Sequence, residues 1–273
     1  ATYGGLHDDR LVDLGSKFGA RFPDLKALIA GDGLTGLAPF IATGRDWMPL
    51  QVGDFLPVIP TPGKIICIGV NYADHQKEMG RGKSEHPTIF LRFADTLVAH
   101  GKAAWVPRVS TAVDYECELA VVIGKAGRHI DAAQAMDHVA GYTCFNDMSV
   151  RDWQRHTTQF TAGKNFPRTG ALGPFMVTKD EIPDPHSLAI KTRLNGKVMQ
   201  DANTSQLIFR IPELIAYISS FTPISPGDII ATGTPSGVGF ARNPPVFMKA
   251  GDVVEVDIEG IGVLKNRLEM DPS

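Results

Sequence analysis

Runs of β-branched and other apolar residues, set off by glycines and prolines, give this chain its rhythm. The segments 64–70 (KIICIGV), 88–93 (TIFLRF), 118–124 (ELAVVIG), 189–194 (AIKTRL) and 253–258 (VVEVDI) predict strands. Helical patterning is sparser. One helix is predicted from Pro23 to Ala30, stopping at Gly31, and a second over 132–138; a third, over 212–221, has Pro212 in its first turn. Strands outnumber helices and do not alternate with them, which argues against a doubly wound parallel sheet. The prediction is an α+β fold, a mixed β-sheet rolled or sandwiched with few helices. The segment 50–63 carries Pro57, Pro60 and Pro62 and ends just before a strong strand, so it reads as a linker. Residues 1–60 are then a small N-terminal domain with its linker, and residues 61–273 the main domain.

Composition narrows the class. The chain has 273 residues, 43% of them hydrophobic and 21% charged, the balance of a folded protein and not of a disordered one. At this length roughly three quarters of the unfolded surface can be buried without a disulfide or zinc staple. With 27 basic against 30 acidic residues the net charge is −3, which argues against a nucleic-acid binder or an anionic-membrane binder. Cys67, Cys117 and Cys144 form no CxxC pair, so no disulfide framework or thiolate zinc site is indicated. No apolar run approaches the ~20 residues of a membrane span. The first residues lack the basic-then-apolar layout of a signal peptide. The expectation is a soluble cytoplasmic protein.

The candidate chemistry lies in carboxylates. Glu116 and Glu118 lead straight into an apolar run, and on a strand side chains two apart project from one face. Either both point to solvent at the strand's entrance, or a cation lies between them, since two adjacent anions otherwise repel until one is protonated. Asp147 ends another apolar run just before a polar helix start, where a carboxylate reaches a site beside the sheet. Three carboxylates without His or Cys form an all-oxygen ligand set suited to Mg²⁺ or Mn²⁺, with Ca²⁺ a further candidate, and unsuited to zinc. His75 and Glu78 are three apart after the 64–70 strand; on a helix they share a face, either as a surface ion pair or as a carboxylate-oriented general base. The loop 232–239 (TGTPSGVG) has the glycines and hydroxyls of a phosphate cradle but lacks the GKS/T ending of a P-loop. Cys117, between the two glutamates, is expected on the opposite strand face, in the core. Trp153 and Phe166 are expected to pack near the pocket, and the remaining histidines, His86 and His186 among them, to be structural or on the surface.

Five motifs occur together in one order: GVNYADH (69–75), ECELAVVIG (116–124), NDMSVRDWQ (146–154), GKNF (163–166) and IIATGTPSGVG (229–239). Together they resemble the fumarylacetoacetate hydrolase family, in particular its acylpyruvases and fumarylpyruvate hydrolases, over roughly three quarters of the chain. The resemblance implies a mixed β-roll, usually homodimeric, that hydrolyses or decarboxylates β-dicarbonyl acids at a divalent metal. It implies Glu116, Glu118 and Asp147 as metal ligands, His75 and Glu78 as a water-activating dyad, and Lys164 near the metal and the developing oxyanion. Arg151, Gln154 and Thr234 match positions that hold the substrate's oxygens. Two departures fall in the expected substrate pocket: Arg92, in FLRF, stands where a lysine is common, and Arg168, in NFPR, follows Lys164 where many members have SFD. Arg92 is accordingly expected to bind the substrate's acid group through its fork. The run 80–87 (GRGKSEHP) has the composition of a mobile lid.

The expected reaction is metal-dependent C–C hydrolysis of an acylpyruvate-like 2,4-dioxo acid to pyruvate plus a second acid. The alternative is decarboxylation or isomerisation of an oxaloacetate-like or 2-hydroxy-diene-dioate substrate in aromatic degradation. A non-catalytic acid-binding protein on the same fold would be expected to have lost a metal carboxylate or Lys164, and all are present.

Overall fold

Two strands buried at every position, Cys117–Ile123 and Val139–Asp147, form the middle of the molecule. They pair antiparallel, and alternate side chains of the first enter two different cores. Leu119, Val121 and Ile123 join the larger, with Ile190, Val254, Val256 and Ile258. Ala120 and Val122 join a second, with Ile29, Ile59, Ile65 and Ile229. A strand covered on both faces needs a continuous apolar run rather than alternation, which is what 118–124 supplies. Each fully buried Ile or Leu contributes on the order of 2 kcal/mol.

This computed structural model describes residues 1–7, 10–43, 47–49, 55–80, 82 and 84–273. Around the central pair runs a seven-stranded mixed sheet in the order Thr88–Arg92, Ile65–Gly69, Ile229–Ala231, Cys117–Ile123, Val139–Asp147, Gly170–Thr178 and Leu97–Val98. A five-stranded sheet packs across the larger core, in the order Lys197–Asn203, Ala189–Leu194, Val253–Ile258, Gly262–Met270 and Ala104–Val106. Two of its strands, Ala189–Leu194 and Val253–Ile258, bury every second residue, the signature of a sheet with one wet face. Curled mixed sheets with few helices match the α+β roll expected from the pattern.

Helices close the edges. Ile211–Phe221 buries Leu214, Ile215 and Ile218, and its free N-terminal amides are met locally. The Glu213 carboxylate accepts from the Arg210 amide at 2.7 Å, and His186 Nε2 accepts from the Ile211 amide at 3.2 Å. The short helix Leu25–Ala30 is capped by Asp24, which accepts from the Ala27 amide at 2.7 Å. Its Ile29 enters the second core, while Tyr3, Val12, Leu14 and Leu28 form a small core beside a three-stranded sheet of Gly4–His7, Arg10–Asp13 and Trp47–Pro49. Residues 50–54 of the expected linker lie outside the described residues. The three cysteines are buried and free.

Candidate metal centre and active site

The antiparallel register explains how carboxylates distant in sequence meet. Phe145 stands opposite Glu118, and the Asp147 amide donates to the Glu116 carbonyl at 2.9 Å, so the end of one strand faces the start of the other. Glu118 shares its face with Ala120 and Val122, and Asp147 shares its face with Phe145, all of the second core. Glu116, Glu118 and Asp147 are all buried, and one oxygen from each lies within 4.8 Å of the others. The solvent-facing alternative for the two glutamates is therefore wrong. Cys117 points into the larger core, as expected.

Fixed cations surround the trio. Lys164 Nζ donates to Glu116 Oε2 at 2.7 Å, to Asp147 Oδ2 at 2.6 Å and to the Asp147 carbonyl at 3.1 Å. Arg151 reaches Glu116 Oε1 through Nη2 at 2.7 Å and donates through Nε to Asp114 Oδ2 at 2.8 Å. Burial works against a charged Glu116, but the Lys164 ammonium and the Arg151 guanidinium outweigh it and bring its carboxyl down to about 2. Burial also opposes the Lys164 charge, and Asp147 and Glu116 overcome it, so its pKa is raised. Glu118 is different. It accepts the Gly233 amide at 2.9 Å, and burial, followed by the negative Asp147 and Glu116, pushes its pKa well above the usual carboxylate range.

A divalent ion fits this donor set. With Glu118 ionised, four buried carboxylates, Asp114, Glu116, Glu118 and Asp147, meet three buried cations, Arg92, Arg151 and Lys164, leaving one negative charge in excess that adds to burial in raising the Glu118 pKa and that a cation would relieve. A doubly charged cation would reverse the sign, and Glu116, Glu118 and Asp147 would offer it hard oxygen donors.

Beside the trio opens a cavity of about 550 Å³, lined by Glu116, Glu118, Lys164, Arg151, Gln154 and Thr234, with Phe90, Phe160 and Phe240 among its apolar walls. Arg151 Nη1 donates to Gln154 Oε1 at 2.9 Å, and Gln200 Nε2 donates to Thr234 Oγ1 at 2.9 Å. The structure thus brings Arg151, Gln154 and Thr234 together with the carboxylates.

Arg92 is a correction. Its side chain is fully buried behind Asp147: Nη1 donates to Asp147 Oδ1 at 2.7 Å and to the Met148 carbonyl at 3.1 Å, and Nη2 donates to Thr169 Oγ1 at 2.6 Å. It does not line the cavity, so the fork aims the Asp147 carboxylate and does not face the substrate pocket. Arg168 likewise lies off the cavity lining, its guanidinium 5.0 Å from the centre of the Trp105 ring.

His75 and Glu78 lie on the helix Ala73–Glu78, with Nδ1 and Oε2 2.8 Å apart. His75 is buried but is not part of the cavity lining; Met79, which caps the C-terminus of that helix, is. Glu78 Oε1 also accepts the Gly237 amide at 2.9 Å, tying the dyad to the 232–239 loop. That loop serves the carboxylates and the dyad, with the Gly233 amide on Glu118 and the Gly237 amide on Glu78. Of the expected lid, Arg81 and Lys83 lie outside the described residues, while the His86 ring stacks on Tyr217 with centroids 5.5 Å apart. Trp153 and Phe166 pack edge to face at 5.2 Å.

Sequence reasoning passed over two organisers. Asp114 accepts the Gly239 and Phe240 amides at 2.7 and 2.9 Å as well as Arg151. Asn71 donates to the Phe209 and Thr232 carbonyls and accepts the Phe209 amide, pinning the turn that follows Val70. Val70 has a positive φ of 56°, an unusual conformation for a β-branched residue, and it lines the cavity. Both organisers sit inside or beside quoted motifs, so their type was visible and their contacts were not.

Known proteins bear on the same residues. The chain is 47% identical over 230 residues, 84% of this chain and 73% of the relative, to the mitochondrial oxaloacetate tautomerase FAHD2A of Bos taurus. The crystal structure of a 2-hydroxyhepta-2,4-diene-1,7-dioate isomerase from Mycobacterium marinum superposes with a TM-score of 0.72 at 36% identity, covering 85% of this chain and 83% of the other. Maleylpyruvate hydrolase from Sphingobium sp. SYK-6, in complex with manganese(II) and pyruvate, superposes with a TM-score of 0.82 at 31% identity, covering 99% and 96%. The cytoplasmic expectation is overturned by the mitochondrial bovine relative. It rested on three unpaired cysteines and on the lack of a membrane span or signal-peptide layout, and buried thiols of this kind do not distinguish one reducing compartment from another. The model of the fumarylacetoacetate hydrolase C-terminal region matches residues 64–269, a span that contains every carboxylate, cation and loop of this site, and the chain belongs to the fumarylacetoacetate hydrolase family.

Proposed function

We propose that this protein is a divalent-metal-dependent enzyme that interconverts the keto and enol forms of an oxaloacetate-like 2-oxo dioate. One observation carries the reading: three buried carboxylates converge within 4.8 Å beside Lys164, two of them, Glu116 and Glu118, lining an open cavity. Glu116, Glu118 and Asp147 would hold Mg²⁺ or Mn²⁺, and the bound ion supplies Lewis-acid stabilisation of negative charge on the 2-oxygen. With it the floor carries a net positive charge, which suits one carboxylate of a 2-oxo acid. Lys164, kept charged by its carboxylates, stabilises the enolate that forms when the C3 proton leaves. Arg151, Gln154 and Thr234 orient the acid's oxygens. Glu78 orients His75 from behind the cavity wall, and we assign to this pair the transfer of the proton between C3 and solvent. The family's oxaloacetate tautomerase and dioate isomerase favour enolisation over the hydrolysis expected first.

The second reading is C–C hydrolysis of an acylpyruvate, favoured by the 2.8 Å His75–Glu78 pair, which could activate water, and by the resemblance to maleylpyruvate hydrolase. The reaction is assigned to residues 61–273, with residues 1–60 as a small N-terminal domain and linker whose Ile29 and Ile59 join the second core, and the assembly to a homodimer of the kind implied by the family. The test is the decay of enol absorbance with Mg²⁺ and with Mn²⁺, on enol-oxaloacetate and on a panel of acylpyruvates and dienoates. Acceleration of ketonisation without cleavage supports enolisation; cleavage of acylpyruvates alone would replace it with hydrolysis.

A further inference from the structure

The cations at the cavity floor already have partners. Lys164 lies between Glu116 and Asp147, and Arg151 between Glu116 and Asp114. With a divalent ion and Glu118 ionised, the buried cluster of Arg92, Asp114, Glu116, Glu118, Asp147, Arg151 and Lys164 has one positive charge in excess, enough for one carboxylate but not for two. Arg155 stands apart from this arrangement. It directly follows the Arg151–Gln154 helix, is exposed and lines the same cavity, and no carboxylate pairs with it among the described residues.

Arg155 is nevertheless held in place. Its guanidinium carbon lies 3.6 Å from the centre of the Phe240 ring, which also lines the cavity. A guanidinium stacked on an aromatic face keeps its edge N–H donors free, in the fork that matches a carboxylate. Phe240 is fixed in turn, because its amide donates to Asp114 Oδ2, the oxygen that also accepts Arg151 Nε. One buried carboxylate thereby sets both the arginine at the floor and the platform for the arginine at the wall.

We propose that Arg155 binds the second carboxylate of a dicarboxylic substrate, so that the site selects 2-oxo dioates over 2-oxo monoacids. This rests on the reading above in one respect, that the 2-oxo acid end binds at the carboxylate trio. The test compares wild type with R155Q, both loaded with Mg²⁺ and titrated with fresh oxaloacetate or with pyruvate. Binding is followed by tryptophan fluorescence, Trp153 adjoining Gln154 in sequence. Wild type is expected to bind oxaloacetate at least tenfold more tightly than pyruvate, and R155Q to lose that preference while its pyruvate affinity changes less than twofold, which also reports an intact fold. Retention of the preference in R155Q, its absence in wild type, or equal weakening of both ligands would overturn the proposal. Because binding is the readout, failure to catalyse ketonisation would sink the enolisation reading and leave this one standing.

Discussion

Replacing Arg92 by methionine separates two roles for that residue. The substitution keeps most of the buried volume and removes the guanidinium. It leaves Asp147 Oδ1 without its 2.7 Å partner, and the Met148 carbonyl and Thr169 hydroxyl without their donors. Lys164 still neutralises Asp147 Oδ2. Breaking one partner of a buried pair costs about 3–5 kcal/mol, because the other charge stays buried. The remaining Lys164 contact places R92M toward the lower end, about 3 kcal/mol. Urea unfolding followed by tryptophan fluorescence measures this as a lower midpoint at unchanged slope. R92K keeps a charge but not the fork, and is expected to lose about 1–2 kcal/mol as one or two hydrogen bonds go. In both variants Mn²⁺ affinity falls, since Asp147 is no longer aimed. If R92M instead left stability within about 0.5 kcal/mol of wild type and raised only the KM for an acidic substrate, Arg92 would be a substrate ligand and its placement here would be refuted.

Three further outcomes follow from the same geometry. In E118Q the carboxyl that lacks a cationic partner is gone, so metal-free stability changes by less than about 1 kcal/mol while the rise in Tm on adding Mn²⁺ disappears; wild type at a hundredfold excess over Kd should gain about 2.7 kcal/mol. An unchanged Mn²⁺ response in E118Q would remove Glu118 from the site. For His75→Ala, kcat should drop at least about a hundredfold with Mn²⁺ affinity retained, whereas full turnover would take the proton from another group. His186 is held neutral, its pKa lowered by burial and then by Arg210, and its Nε2 caps the Ile211–Phe221 helix. Its contribution is fully present above the ordinary histidine pKa of about 6.5 and is lost as pH falls through the lower folded value. Denaturant midpoints between pH 7.5 and 5 should therefore fall more steeply in wild type than in H186Q, by about 1 kcal/mol, the cost of a lost helix cap; parallel curves would contradict the cap.

Much of the roll was legible because its strands are continuous apolar runs. Ala189–Leu194 and Val253–Ile258 match the predicted bounds, and the other three predicted strands differ by one residue at one or both ends. The strands Gly170–Thr178 and Gly262–Met270 were missed. The first is broken by Gly173 and Pro174, and the second alternates with charged Lys265, Arg267 and Glu269 on its outer face, so neither presents an apolar run. The segment 132–138 is helical, but as a 3₁₀ helix. The convergence of Glu116, Glu118 and Asp147 was legible from their positions beside apolar runs, since nothing but strand register was needed to bring them together. Arg92 was misread for the opposite reason. Sequence marks it as a cation near the site, but whether it lies in front of Asp147 or behind it depends on how the Thr88–Arg92 strand packs against Thr96 and Thr169. Arg155 and Phe240 meet only through the fold of the 232–242 loop onto Asp114, which no local pattern encodes.

The central claim is that Glu116, Glu118 and Asp147 share one hard divalent ion. Diffraction from crystals grown with Mn²⁺, collected at the manganese edge, tests it most directly. A single strong anomalous peak per chain, at coordination distance from an oxygen of each of the three residues, is the predicted result. Lys164 Nζ still bridging Glu116 and Asp147, with no peak among the carboxylates, would contradict it.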